Sequence, residues 1–181
     1  MGKIERKYMA HFIDATFQYY PNRTSAWTPS WYRLGEDLEE YNVELNPSVE
    51  VVRNFLGDDI VIHDGYAMSG EVEPYYAYKK GNVEDALFIK LQSMIDNEKR
   101  GNPCHTLALD VQLWRGTATT ANNTTVYHYP AVCRPCYIVP TSFGGDTSGY
   151  QIPFQIYYLN TSTTTGTFTP DGNGSGTFSV G

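Results

Sequence analysis

The sequence predicts a mainly β protein: two packed antiparallel sheets, forming a sandwich or flattened barrel, with one flanking helix and a long arm between two strands. Three observations carry that prediction. The composition is rich in Tyr, Thr, Asn, Ser and Gly, with 15 tyrosines and 16 glycines, and this mixture favours strands and turns over helices. Apolar and polar residues alternate through most of the patterned segments, the period of a half-buried strand. One segment alone has the three-to-four spacing of a helix. A length of 181 residues fits a single domain, 1–181, with room for a hydrophobic core.

Along the chain, 19–30 fits no regular element. Tyr41, Val43 and Leu45 alternate with Asn42, Glu44 and Asn46, which reads as a strand. From Asn46 to Gly70 no regular element is expected, although a connection is usually about four to six residues long. Its content argues against disorder, because Val49, Val51, Val52, Phe55, Leu56, Ile60, Val61 and Ile62 are too apolar to stay solvated. Such an arm needs a surface to lie on, and a neighbouring subunit can supply it. Glu71 to Tyr78 reads as the next strand.

The helix spans about 83–99, where Val83, Leu87, Leu91, Met94 and Ile95 form one apolar stripe suited to core packing. Asn82 is a candidate N-cap, Lys99 and Arg100 suit the C-terminal end, and Gly101 with Pro103 stops it. Further strands are expected at Leu107 to Leu113, Cys136 to Val139 and Gln151 to Ile156. A Ser/Thr/Gly-rich C-terminal hairpin, about 160–181, holds Phe168 and Phe178. Gly144 to Gly149 lacks the Lys and the following helix of a phosphate loop and reads as a tight turn between strands.

The charge is −7, from 13 basic and 20 acidic residues, and beyond Arg134 only Asp146 and Asp171 are charged. This is no phosphate-neutralising surface. No apolar run is long enough to span a bilayer and no signal peptide opens the chain, so synthesis in a cytoplasm without membrane association is expected. The triplets at Asn22 and Asn160 match the glycosylation pattern and are read as chance in so Asn-, Ser- and Thr-rich a chain.

Three cysteines are expected to be reduced. Cys133 and Cys136 form a C-x-x-C that Cys104 and His105 could extend to a zinc set. The pair leads into the strand-like Tyr137-Ile138-Val139, however, where residues i and i+3 point to opposite faces. Buried strand cysteines are the favoured reading, with no metal and no cofactor. His11, His63, His105 and His128 show no paired spacing and no nucleophile motif is present, so no enzyme is expected.

Four segments, in order, carry a resemblance: Met1 to His11; Tyr32-Arg33-Leu34-Gly35-Glu36-Asp37-Leu38-Glu39-Glu40-Tyr41 continuing to Pro47; Glu71-Val72-Glu73-Pro74-Tyr75-Tyr76-Ala77-Tyr78; and Val139 to Gly149 with Gln151-Ile152-Pro153-Phe154. Together they resemble the major tail tube proteins of long-tailed, siphovirus-like bacteriophages. The resemblance implies a structural virion protein: hexameric rings with a continuous lumen wall, stacked into a tube first packed around a tape measure protein. Tail terminator and tail tip proteins would be its other partners, and DNA would pass through without specific binding. It places Tyr41 to Asn46 and Glu71 to Tyr78 side by side in the lumen sheet, so Glu44, Glu71 and Glu73, with Asp110 as a further candidate, would face the lumen. Solvated outer-face residues are the alternative, because alternation does not reveal which solvent a face meets. The rival functional readings are a soluble carbohydrate-binding β-sandwich using Trp27, Trp31 and Trp114, and a metalloenzyme using the cysteines.

Overall fold

The structure, a computed structural model, describes residues 2–19, 28–35, 38, 40–77, 79–80, 83–159 and 163–181. The strands are β1 (Met9–Asp14), β2 (Trp31–Leu34), β3 (Val43–Glu44), β4 (Pro47–Arg53), β5 (Asp59–Tyr66), β6 (Ser69–Val72), β7 (Lys79–Lys80) and β8 (Val83–Glu84). After the helix α1 (Ala86–Asp96) come β9 (His105–Gln112), β10 (Thr117–Ala121), β11 (Thr124–Pro140), β12 (Gly144–Asp146), β13 (Gly149–Gln151), β14 (Phe154–Tyr158), β15 (Thr164–Pro170) and β16 (Gly176–Val180). Among the described residues the chain is mainly β, its sheets are antiparallel, and one α-helix flanks them, as the sequence predicts.

A ten-stranded sheet runs β2-β1-β9-β11-β14-β6-β3, with β10 and β15 also on β11 and β16 on β15. The 17-residue β11 organises it. Its middle pairs with both β9 and β15, while its end pairs with β14. Alternation along β11 sends Cys136 and Ile138 to one face, Ala131 and Cys133 to the other, and each face has its own core. The first core joins Ile13, Val72, Ile138, Phe154 and Ile156 to the helix residues Leu87 and Leu91, all fully buried. Burial of each such side chain contributes roughly 1.5–3 kcal/mol.

The second core lies under the C-terminal hairpin, where the Phe12 and Phe168 rings stand 4.8 Å apart and Trp31 meets Phe178 edge-on at 6.4 Å. The Ser175 hydroxyl donates to the Trp31 carbonyl at 2.7 Å, so β15 and β16 fold back over β2. Because both faces are covered there, Thr106 and Ala108 are buried along with Leu109 and Val111, and one-sided alternation understates the burial of β9. The small β12–β13 sheet packs beside the helix: the Tyr150 ring stands 5.5 Å from Phe88 and its hydroxyl donates to Gln92 Oε1 at 2.8 Å. The tight turn expected at Gly144 to Gly149 connects these two strands, with Ser148 N donating to Asp146 Oδ1.

The helix is shorter at both ends than expected. Asp85 caps it, accepting from Leu87 N and Phe88 N at 3.0 and 3.1 Å, while Asn82 lies outside the described residues. Val83 therefore leaves the stripe and belongs to β8, opposite Lys80. Leu87, Leu91 and Met94 are buried, Ile95 packs at their margin, and Phe88 joins them. The stop comes before Gly101: Glu98 takes a left-handed φ of 45°, with Glu98 N donating to Ile95 O and Lys99 N to Met94 O. This is a Schellman closure made without glycine.

Two other expectations change. Of 41–46, only Val43–Glu44 is strand, because Tyr41 turns inward to the core and Asn46 turns the chain at φ 44°. The strand expected at 71–78 begins at Ser69 and ends at Val72, and Tyr78 lies outside the described residues. Within 19–30, residues 20–27 also lie outside them, and the described end is held where Ser30 N donates to Asp14 Oδ1 at 3.0 Å.

Candidate assembly surface

The arm expected to be irregular is a β-hairpin. Strand β4 pairs with β5 from Pro47 opposite Tyr66 to Arg53 opposite Asp59, with a bulge near Ser48. Alternation failed to reveal it because neither face is buried, so both carry apolar side chains. Val51 lies opposite Val61 on one face, and Val52 opposite Ile60 on the other. All eight apolar arm residues singled out in the sequence are exposed, Phe55 fully and Leu56 at 83%. None of them belongs to either core.

Two asparagines hold this ribbon in shape. At the tip, Asn54 Oδ1 accepts from Leu56 N and Asp58 N at 2.9 Å each, and Gly57 supplies the positive φ of 86°. The Arg53–Asp59 ion pair flanks the turn at 3.2 Å. At the base, Asn46 donates from its amide to Ala67 O at 3.0 Å and to Ser69 Oγ at 3.3 Å. Asn before Pro47 and Asn54-x-x-Gly57 were the sequence signals that could have found the two ends.

The arm grows out of the sheet edge, since β3 precedes it and β6 follows it, and these two pair directly. The two segments expected side by side meet only through adjoining residues, because Val43 and Glu44 pair with Gly70 and Ser69, just before the expected 71–78. In this corner of the sheet Glu44 lies opposite Ser69, Glu71 opposite Gln155, and Gln155 opposite Val139. Glu44, Glu71, Gln155, Tyr157 and Val139 therefore share one face, opposite the buried Phe154 and Ile156. That face is open and acidic. Glu73 is also exposed, on the irregular stretch beyond β6.

Asp110 does not join them. It lies on the opposite face with Ala108, partly buried between His11, whose Nδ1 contacts Oδ1, and Arg134, whose Nη1 contacts Oδ2. Its register on β9, one strand beyond β11, puts it at the end of the first core, where the carboxylate is neutralised by partners instead of facing solvent. Nearby, the Tyr41 and Tyr158 hydroxyls bond at 2.8 Å, and burial above all pushes the Tyr158 hydroxyl well up from its ordinary range. Gly70 permits this approach, since a Cβ there would stand 2.7 Å from Tyr41 Oη.

Cys133 and Cys136 are buried on opposite faces of β11, in different cores, as their spacing on a strand predicts. Burial, then the carboxylates of Asp14 and Asp110, push the Cys133 thiol up to about 12, and burial above all raises the Cys136 thiol well above its ordinary value. Cys104 is buried as well, its thiol directed at Lys99 O at 3.4 Å. Among the described residues no group of three or more Cys, His, Asp or Glu is arranged to hold a metal ion. Of the tryptophans, Trp31 is core, Trp114 is half exposed, and Trp27 lies outside the described residues. Trp31 is thus unable to serve the carbohydrate platform. No helix among the described residues is long and apolar enough to cross a membrane. A scan against protein-family models finds no match to this chain, and a search of curated proteins finds no significant relative.

Proposed function

We propose that this chain is the repeating subunit of a bacteriophage tail tube, a structural protein of the virion and not an enzyme. The observation that carries the reading is the arm: a preformed hairpin, pinned at base and tip, holding eight exposed apolar side chains away from both cores. A monomer gains nothing from such an element, whereas a polymer buries it. The arm continues from β3, the terminal strand of the sheet, so the free edge and the apolar surface form one contiguous region.

In this reading the subunits close into hexameric rings and stack around a tape measure protein, with terminator and tip proteins at the two ends. The open face bearing Glu44 and Glu71 lines the lumen, where its charge keeps DNA from adhering. Gel filtration followed by negative-stain imaging of the purified chain tests it. Rings or tubes are the expected product. A protein that stays monomeric at high concentration, or that binds glycans as a monomer, overturns the reading.

A further inference from the structure

The two faces of the arm constrain what covers it. A ribbon lying on a single surface keeps its other face polar. Here Val51 and Val61 stand on one face, Val52 and Ile60 on the other, and the second also carries Glu50 opposite Ile62. Charge separates the possible covers. From Pro47 to Tyr66 the arm has one basic residue, Arg53, against four acidic ones, a net −3.

Among the described residues, the N-terminal segment 2–8 combines three basic residues, Lys3, Arg6 and Lys7, against one acidic, Glu5, for a net +2. It also exposes two large apolar side chains, Ile4 at 56% and Tyr8 at 42%. Among the described residues neither the arm nor the N-terminal segment is covered within one subunit, although Lys7 pairs with Glu5 inside its own segment. Their anchoring strands, β1 and β3, stand five positions apart in the sheet, roughly 24 Å at the usual strand spacing.

We infer that the arm of one subunit receives the N-terminal segment of a second copy, Ile4 and Tyr8 covering its Val52–Ile60 face while Lys3 and Lys7 meet Glu50 and Asp64. This contact rests on the self-assembly reading and specifies which surfaces meet. Opposite charges select the register of the two copies and the apolar side chains hold it, the division of labour usual at interfaces.

Charge reversal with rescue tests it in the full-length chain. Lys3→Glu with Lys7→Glu, or Glu50→Lys with Asp64→Lys, places like charges opposite each other and raises the critical concentration for polymerisation about tenfold or more. Combining all four substitutions brings it back toward wild type. All four positions are on the surface, and circular dichroism verifies that each variant folds. Either pair polymerising like wild type, or the combination showing no recovery, overturns the contact while wild-type tubes leave the self-assembly reading standing. A wild-type chain that never self-associates instead removes the self-assembly reading itself.

Discussion

The Asn46 amide donates to the carbonyl of Ala67 at 3.0 Å, across the base of the arm, from a backbone at φ 44° that L-residues rarely adopt. The return bond, Ala67 N to Asn46 O at 3.3 Å, closes the clamp. Asn tolerates this conformation and uses its short side chain to bond the backbone locally, which few residues do. The direction of the arm relative to the β3–β6 edge is set there.

Asn46→Ala should therefore cost about 1–2 kcal/mol, from lost hydrogen bonds and a strained φ, whereas Asn46→Gly, which relieves the φ, should cost less than about 1 kcal/mol. Urea denaturation measures both. The amides of β4 and β5 should exchange faster in the Ala variant than in wild type, and unchanged exchange would show that Asn46 does not hold the arm.

Replacing 47–66 by a short glycine turn should leave a folded subunit, because no residue of that span belongs to either core. A change in Tm under about 4 °C is expected, the equivalent of roughly 1 kcal/mol at this size. Polymerisation should be lost. Collapse of the fold on excision would mean that the arm carries stability that its exposure conceals.

Glu44 and Glu71 share the open face, so Glu44→Lys with Glu71→Lys reverses its charge while leaving the buried face untouched. Tubes should still form. DNA ejection from particles built with this variant should slow, most at low salt, where the Debye length rises from about 8 Å at physiological ionic strength to about 30 Å at 0.01 M. Ejection at the wild-type rate in low salt would remove the acidic face from the transport role.

The Cys133 thiol, ordinarily near 9.0, is held at about 12 in the fold. Its folded pKa exceeds its unfolded one, so its contribution to stability is fully present below about pH 9 and is lost as pH rises toward 12. Between those values the unfolded chain releases a proton that the folded chain keeps. Cys133→Ala should accordingly lose less stability than wild type between pH 9 and pH 11, measured as the difference between their urea midpoints. A native thiol that reacts quickly with a thiol reagent at pH 8 would contradict its burial.

What the sequence by itself determined was local and periodic. The stripe Leu87, Leu91, Met94 announces a helix because a 3.6-residue period can bury one side only, and Ile152, Phe154 and Ile156 announce inward positions for the matching reason at period two. The opposite placement of Cys133 and Cys136 followed from parity alone. The apolar excess of 46–70 was visible too, although its pairing into a hairpin was not.

Tertiary structure decided the rest, because a face is defined only by what packs on it. Asp110 alternates with apolar neighbours as Glu71 does, yet its face of β9 meets His11 and Arg134 while that of Glu71 remains open. The helix boundary fell to Asp85 because that carboxylate also accepts the Tyr32 and Tyr75 hydroxyls at 2.8 and 2.7 Å, partners that come from distant strands and loops. The arm became a ribbon through cross-strand pairing, which leaves no amphipathic period when neither face packs on a core.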